Sequence, residues 1–137
     1  RVDRAGFSVI ALTQDLKGIE LGFWTDRIWA QEQGFTQAEG VAFDTLSSLT
    51  AYTLEMQGNT YRLRVGGQPI LTGALRDYSG FGAPYTVPNF LFLGDDTTSG
   101  QGRFRLRQVA VNAPEPAAGV LALLGIGALA VTRRRRG

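Results

Sequence analysis

The feature that most constrains this chain is an uncharged, apolar segment close to its C-terminus. Residues 117–132 are Ala, Gly, Val, Leu and Ile with one closing Thr, and they lie between a Pro-Glu-Pro tripeptide at 114–116 and four consecutive arginines at 133–136. As a helix the segment would extend about 24 Å, which is short against a bilayer core of about 30 Å. Arginine side chains can reach outward to the headgroups. The sequence therefore predicts a short, transmembrane-like C-terminal helix over 117–132.

The arginine cluster predicts the orientation of this segment. Clustered arginines beside an apolar span stay on the cytoplasmic side, so the chain before them would lie outside the cytoplasm. Two alternatives are a buried core helix with a solvated basic end, and a nucleic-acid-binding patch. The first needs a core that surrounds a helix apolar on every side, and the second lacks aromatic residues among the arginines. We favour the membrane interpretation.

The order of these three parts resembles a known bacterial signal. A Pro-Glu-Pro tripeptide, a short apolar helix and a terminal arginine cluster are similar to the PEP-CTERM sorting signal of bacterial surface proteins, and the resemblance covers residues 114–136. It implies export, inner-membrane retention before processing, and cleavage by an exosortase at or near Pro-Glu-Pro. The tail would thus have an exosortase and the membrane as partners. The matching residues are Pro114, Glu115 and Pro116 as the sorting motif, and Arg133, Arg134, Arg135 and Arg136 as the cytoplasmic anchor.

Composition and charge limit what the rest of the chain can do. The length of 137 residues suits one domain over 1–112 and the sorting tail over 113–137. Once the four tail arginines and Glu115 are set aside, ten basic and eleven acidic side chains remain, so the domain has no general attraction to nucleic acid. The lack of Cys and His excludes thiol nucleophiles, Cys–His zinc sites and a Ser-His-Asp triad.

The first residue is also informative about export. The chain begins at Arg1 rather than at a translation start, and no signal peptide precedes the first apolar run. Because an exported protein needs such a peptide, we expect further N-terminal residues, including one or more strands, to precede Arg1.

The pattern before residue 112 predicts an all-β domain, because short apolar runs recur about every 8–12 residues between Gly, Asp and Asn breaks. The clearest part is 50–72, where Gly58-Asn59 suits a two-residue hairpin turn and Gly66-Gly67 a second one. Pro69 predicts that the third strand is an edge or irregular. The predicted pairs are Met56/Tyr61, Leu54/Leu63, Tyr52/Val65, Glu55/Arg62 and Thr53/Arg64, followed by Leu63/Ile70.

A further hairpin is predicted over residues 19–32. With Thr25-Asp26 as its turn, Trp24 pairs with Arg27, and Trp29 lies opposite Gly22 and covers it. Residues 33–40 are expected to form a loop, and 41–43 a short strand.

These strands resemble a wider family. Residues 4–111 are similar to the concanavalin A-like jelly roll, in its laminin-G-like group, through Tyr-Thr-Leu-Glu-Met at 52–56, Tyr-Arg-Leu-Arg-Val at 61–65 and Asn-Phe-Leu-Phe-Leu-Gly-Asp-Asp at 89–96. The resemblance implies an antiparallel two-sheet jelly-roll sandwich, Ca²⁺ near loop carboxylates, and recognition of glycans or proteins.

Candidate binding residues follow from two patterns. Trp24 and Trp29 share a polar strand face, and Tyr78 and Tyr85 flank a Gly/Pro-rich loop, so all four are candidate contacts for a sugar ring or packing residues. Asp95 and Asp96 follow a strand end and are candidate Ca²⁺ ligands or turn residues. Asp44 and Asp77 are the acids that could complete such a metal site.

No pattern of catalytic residues is present. Glycosidases of this fold class use paired carboxylates, whereas Glu20, Glu39 and Glu55 each stand alone on their predicted strands. The sequence thus favours an exported, non-catalytic cell-surface or extracellular-matrix protein, with surface polysaccharide as a candidate ligand. The alternatives are a polysaccharide-active enzyme and a purely structural surface protein.

Overall fold

The computed structural model describes residues 6–97, 102–113 and 121–132. Within these ranges the chain is all-β, with one turn of 3-10 helix at Ser79–Phe81 and no α-helix. The strands are β1 (Ser8–Leu12), β2 (Lys17–Phe23), β3 (Arg27–Gln31), β4 (Gln37–Ala42), β5 (Thr50–Gln57), β6 (Thr60–Val65), β7 (Gln68–Ala74), β8 (Arg76–Asp77), β9 (Leu91–Gly94), β10 (Arg103–Asn112) and β11 (Leu121–Thr132).

The strands form two antiparallel sheets. Sheet A has the order β4-β3-β2-β1-β9, with β8 paired to β2, and sheet B has the order β10-β11-β5-β6-β7. The two sheets face each other across one hydrophobic core, as in a sandwich. The predicted all-β, two-sheet antiparallel architecture is confirmed, whereas a jelly-roll connectivity remains a prediction.

The central hairpin of sheet B follows the predicted register. All five predicted pairs between β5 and β6 are present. Glu55 stands opposite Arg62 as predicted, but its ion pair is with the diagonal neighbour Arg64, whose Nε lies 2.9 Å from Glu55 Oε2. Diagonal neighbours on one sheet face remain within reach of long side chains.

The predicted register of β7 is wrong by one residue. Leu63 pairs with Leu71 rather than with Ile70, because the register shifts where Arg64 pairs with Pro69. Proline has no backbone N–H, so the ladder is interrupted beside it and an irregularity absorbs one residue. As Pro69 predicts, β7 is the edge of sheet B.

The hairpin of β2 and β3 is also confirmed. Trp29 stands opposite Gly22, and the Trp24 backbone N–H donates to the Arg27 carbonyl at 2.8 Å. The loop predicted for 33–40 is wrong over its second half, because β4 already begins at Gln37. β4 is an edge strand with polar residues, and such strands lack the alternating apolar pattern that identifies strands in a sequence.

The main core lies between the sheets. Side chains alternate along a strand, so every second residue of β1, β2 and β3 faces sheet B. Burial of each large apolar side chain contributes roughly 1.5–3 kcal/mol. The core members are Phe7, Val9, Ala11, Ile19, Leu21, Phe23, Ile28 and Ala30 on one side and Tyr52, Leu54, Met56, Tyr61, Leu63 and Leu71 on the other.

A second, smaller cluster covers the outer face of sheet A. Ile10 and Leu12 point away from the main core, and the loop that follows β8 places Tyr78 and Tyr85 over them. Phe35, Phe90 and Phe92 pack against this cluster. The loop is therefore fixed to the sheet, and its edge forms one wall of the groove described below.

The structure corrects the prediction of a C-terminal helix over 117–132. Leu121–Thr132 form β11, which pairs with β10 along one edge and with β5 along the other, and residues 117–120 lie outside the described ranges. An uninterrupted apolar run suits a strand paired on both sides as well as a buried helix. Pairing with β5 and β10 satisfies the backbone groups on both edges of β11, which a strand at a sheet edge does not achieve. In the described parts of the chain, no helix is long and apolar enough to cross a membrane.

Candidate functional site: an aromatic groove on sheet A

An open groove lies on the outer face of sheet A, beside the loop that follows β8. Its volume is about 590 Å³, within the range of pockets that hold small molecules. Of the lining residues that the structure describes, four are aromatic, two are acidic and none is basic. The lining residues are Ile10, Phe35, Phe81, Pro84, Tyr85, Phe92, Asp95, Asp96 and Thr97.

Two neighbouring strands supply the floor. Ile10 of β1 and Phe92 of β9 are directly paired across the sheet, and both pack into the outer cluster. β9 ends at Gly94, so the next two residues, Asp95 and Asp96, leave the sheet at the end of the groove. The Ser8 hydroxyl on β1 donates to Asp96 Oδ1 at 3.0 Å and ties this loop to the neighbouring strand.

Four aromatic rings form the wall. The Phe35 ring is stacked on Tyr78 at 6.2 Å between centroids, tilted against Tyr85 at 5.5 Å and edge-on to Phe81 at 4.5 Å. Such offset and edge-to-face pairs are favourable beyond their buried area. Phe35 has a φ of 58° in the loop between β3 and β4. Phe81 is 54% exposed, so its ring presents apolar surface to solvent at the rim.

Buried hydrogen bonds hold this wall in place. The Tyr78 hydroxyl donates to the Gln31 carbonyl at 2.6 Å, and the Tyr85 hydroxyl donates to Glu20 Oε2 at 2.6 Å. Burial raises the pKa of Tyr78, and burial together with donation to the Glu20 carboxylate raises the pKa of Tyr85. Both phenols therefore remain protonated donors across the physiological pH range, and the wall does not loosen by titration.

Each carboxylate at the end of the groove accepts hydrogen bonds through only one of its two oxygens, as far as the described residues show. Asp95 Oδ1 accepts from the backbone N–H and the hydroxyl of Thr97 at 2.9 and 2.7 Å, and Asp96 Oδ1 accepts from Ser8. From the described residues, neither Oδ2 accepts a hydrogen bond. These two oxygens can therefore accept hydrogen bonds from a ligand.

The predicted metal site receives no further ligand from the described ranges. Among those residues, no three His, Cys, Asp or Glu side chains come together as a metal cluster. Asp44 and Asp77 instead accept hydrogen bonds within their own turns, from the backbone N–H of Leu46 and of Ser79 respectively. Binding of Ca²⁺ by Asp95 and Asp96 stays a prediction.

The structure places the four predicted ligand-binding aromatics in different surroundings. Tyr85 lines the groove, and Tyr78 is buried directly behind it. Trp24 and Trp29 contact each other edge-on at 4.4 Å, and neither lines the groove. Trp29 is 0% exposed, so a ligand would reach its ring only if this packing opened.

Sequence reasoning did not assign Phe35 and Phe92 to the site. Phe35 lies in a segment without strand periodicity, and its position depends on a left-handed backbone conformation that a residue pattern does not reveal. Phe92 belongs to an uninterrupted apolar run, where no alternation marks the outer face. The usable signal was the clustering of Phe81, Pro84 and Tyr85 in one loop.

The C-terminal end carries a second functional element. β10 ends at Asn112, and the Pro-Glu-Pro tripeptide that follows lies outside the described residues. Residues 112–136 match the PEP-CTERM protein-sorting motif. This match supports an exported protein that an exosortase processes and that is anchored in the membrane beforehand. No curated protein and no solved structure matches the chain.

The sorting motif and the groove use separate parts of the chain. The motif match begins at residue 112, whereas every lining residue of the groove precedes residue 98. Leu121–Thr132 pair in sheet B, and the groove lies on sheet A. Removal of the tail would therefore leave every lining residue in the chain. The laminin-G-like resemblance of residues 4–111 remains a prediction.

Proposed function

We propose that this chain is an exported, non-catalytic cell-surface or extracellular-matrix protein that binds saccharide in the groove on sheet A. The observation that carries this proposal is the lining itself, which joins exposed aromatic surface to two carboxylates whose Oδ2 atoms accept no hydrogen bond from the described residues. Sugar rings have apolar C–H faces that pack on aromatic rings, and hydroxyl groups that donate to carboxylates. The groove offers both kinds of contact on one supported surface.

The sorting motif supplies the location for this activity. Before processing, the sorting tail anchors the chain in the inner membrane, and residues 133–136 stay on the cytoplasmic side. An exosortase then cleaves near 114–116, and the domain over 1–112 moves to the surface. The support for this order of events is the PEP-CTERM match over 112–136.

The test of saccharide binding is the variant Phe81→Ala, measured by affinity electrophoresis or calorimetry against surface polysaccharides. The substitution removes the exposed ring at the rim and leaves the buried Tyr78 and Tyr85 in place. Loss of one aromatic contact should weaken binding by about 3- to 10-fold, and Phe81→Tyr should restore most of it.

Leu49→Ala is the matched control, because Leu49 is an exposed apolar residue outside the groove. It should leave the affinity unchanged. An equal loss in both variants, or saccharide binding that does not respond to Phe81→Ala, would place the binding surface elsewhere on the molecule.

A polysaccharide-active enzyme is the second candidate, because a buried carboxylate lies directly behind the groove. Glycosidases hold two carboxylates about 5–9 Å apart across the scissile bond. Glu20 is only 2% exposed, and its Oε2 already accepts the hydrogen bond of Tyr85, so we place binding ahead of hydrolysis. Prolonged incubation with polysaccharide should yield no new reducing ends. Reducing ends that disappear with Asp96→Asn or Glu20→Gln would establish the enzyme instead.

A further inference from the structure

We infer that the groove selects saccharides with free amino groups, such as de-N-acetylated hexosamine polymers, over acidic saccharides. The inference rests on the proposed saccharide binding and adds the charge class of the ligand. It is carried by the position of the two carboxylates relative to the aromatic wall.

The charge of the lining has one sign. Among the described residues, Asp95 and Asp96 are the charged members of the lining, and no Lys or Arg lines the groove. The adjoining segment 98–101 reads Thr-Ser-Gly-Gln and adds no charge. A cleft lined by one sign of charge concentrates ligands of the opposite sign and disfavours ligands of the same sign. A uronic acid or sulfated polymer would therefore meet repulsion at the place where it must bind.

The carboxylates are held in position before a ligand arrives. Oδ1 of Asp96 is tied to Ser8 on β1, and Oδ1 of Asp95 is tied to Thr97. In each side chain, the hydrogen bond to Oδ1 thus fixes the orientation of the carboxylate, and Oδ2 can accept a hydrogen bond from a ligand. An ammonium group carries three donors and no acceptor, so it can donate to the open Oδ2 of either aspartate.

The aromatic wall suits the same ligand. An ammonium near the face of an aromatic ring is attracted by the ring quadrupole. The exposed ring of Phe81 and the rings of Tyr85 and Phe92 line the groove together with the carboxylates. A sugar that carries an amino group can pack its C–H face on this wall and direct its charge toward Asp95 and Asp96.

The experiment compares polymers of matched length with the full chain. They are an N-acetylated glucosamine polymer, its partly de-N-acetylated form, a uronic acid polymer and polylysine, each titrated at low and at raised ionic strength. We expect the de-N-acetylated polymer to bind about fivefold more tightly than the acetylated one at low salt, and we expect this preference to shrink as salt screens the charges. The uronic acid polymer should bind most weakly.

Two substitutions test the carboxylates directly. Asp95→Asn and Asp96→Asn keep an oxygen that accepts from Thr97 and Ser8, so the loop retains its anchors, and together they should abolish the preference for amino groups. Asp44→Asn is the matched control, because Asp44 also accepts hydrogen bonds in its own turn and does not line the groove. Thermal unfolding of each variant checks the fold, and the salt dependence of the unsubstituted chain is a second, mutation-free measurement.

The outcomes separate this inference from the proposed function. A preference that survives the double substitution, or no preference between the acetylated and de-N-acetylated polymers, would overturn the inference and leave saccharide binding intact. If polylysine binds as tightly as the de-N-acetylated polymer, the groove recognises positive charge alone. That result would overturn the assignment of a saccharide as the ligand. Failure of every saccharide to bind would overturn both.

Discussion

Gly22 has no side chain, and the ring of Trp29 occupies the space that a side chain at this position would need. A Cβ added at Gly22 would lie 2.7 Å from the Trp29 ring, closer than real Cβ contacts allow. The pairing of these two residues was predictable, because the turn at Thr25-Asp26 determines the register. The complete burial of Trp29 was not predictable, because it depends on the residues from outside this hairpin that pack around the ring.

Gly22→Ala should therefore destabilise the domain. The added methyl group must displace the Trp29 ring, and overpacking of this kind costs about 1–3 kcal/mol. Urea unfolding measures the effect. Gly80→Ala is the control, because a Cβ there meets no atom within 4 Å, and equal stability of the two variants would contradict the packing described here.

A partly buried ion cluster joins the two sheets. Arg76 Nη2 lies 2.6 Å from Glu39 Oε2, and the Tyr61 hydroxyl donates to Glu39 Oε1 at 2.6 Å. Burial acts to raise the pKa of Glu39, but the hydrogen bonds from Arg76 and Tyr61 outweigh it and lower the pKa below 4.5. The ionised carboxylate is therefore more stable in the folded protein than in the unfolded chain.

This shift predicts how stability depends on pH. A depressed carboxylate pKa contributes stability that is fully present above the unfolded value and is lost as the pH falls through the folded value. The free energy of unfolding should thus exceed that of Glu39→Gln at neutral pH, and the difference should shrink as the pH falls from about 6 to about 3. Denaturant titrations at several pH values measure it. A difference that stays constant with pH would assign the effect to packing rather than to charge.

At the scale of elements, local turn chemistry accounts for what the sequence predicts well. Gly58-Asn59 determines every pair of β5 and β6, whereas the register beyond Gly66-Gly67 fails at Pro69. Tyr85, which lines the groove, could be named as a candidate because it flanks a Gly/Pro-rich loop. Phe35 and Phe92 could not, since the groove joins the β3–β4 loop to β9, and contacts between such distant segments follow from the tertiary fold rather than from local pattern.

Strand β11 presents the sharpest difference between pattern and structure. Its backbone pairs with β5 and β10, whereas a helix that crosses a membrane uses the same donors and acceptors within itself. One copy of the segment cannot do both. Insertion of this segment into a bilayer as a helix would therefore require it to leave sheet B.

Cysteine pairs test this exclusion, because the natural chain has no cysteine. Thr53 and Gly125 are paired across β5 and β11, and paired strand neighbours come within the distance that a disulfide requires. Thr53→Cys with Gly125→Cys should cross-link under mild oxidation in water, and lipid vesicles should reduce the yield. Thr53→Cys with Ala122→Cys is the off-register control, since Ala122 pairs with Met56. Equal yields from both pairs would exclude the register of β11.

At the scale of the whole molecule, the candidate groove and the sorting motif occupy separate parts of the chain. Sheet A and its outer cluster carry the groove, and the sorting motif begins where β10 ends. The two antiparallel sheets and the sorting tail could be predicted, because short stretches of sequence are enough to reveal them. Strands show as short apolar runs, and the tail shows as Pro-Glu-Pro followed by an apolar segment and arginines. The groove depends on how one loop folds back over one sheet, and the sequence indicates only which aromatics are available for it.

The most direct test of the account is the C-terminus of the mature protein. Cells that contain an exosortase would express the full-length gene, and fractionation with mass spectrometry would locate and measure the product. We expect a product outside the inner membrane that ends near residues 114–116 and lacks residues 133–136. A cytoplasmic product with an intact C-terminus would contradict export, and with it the surface role of the groove.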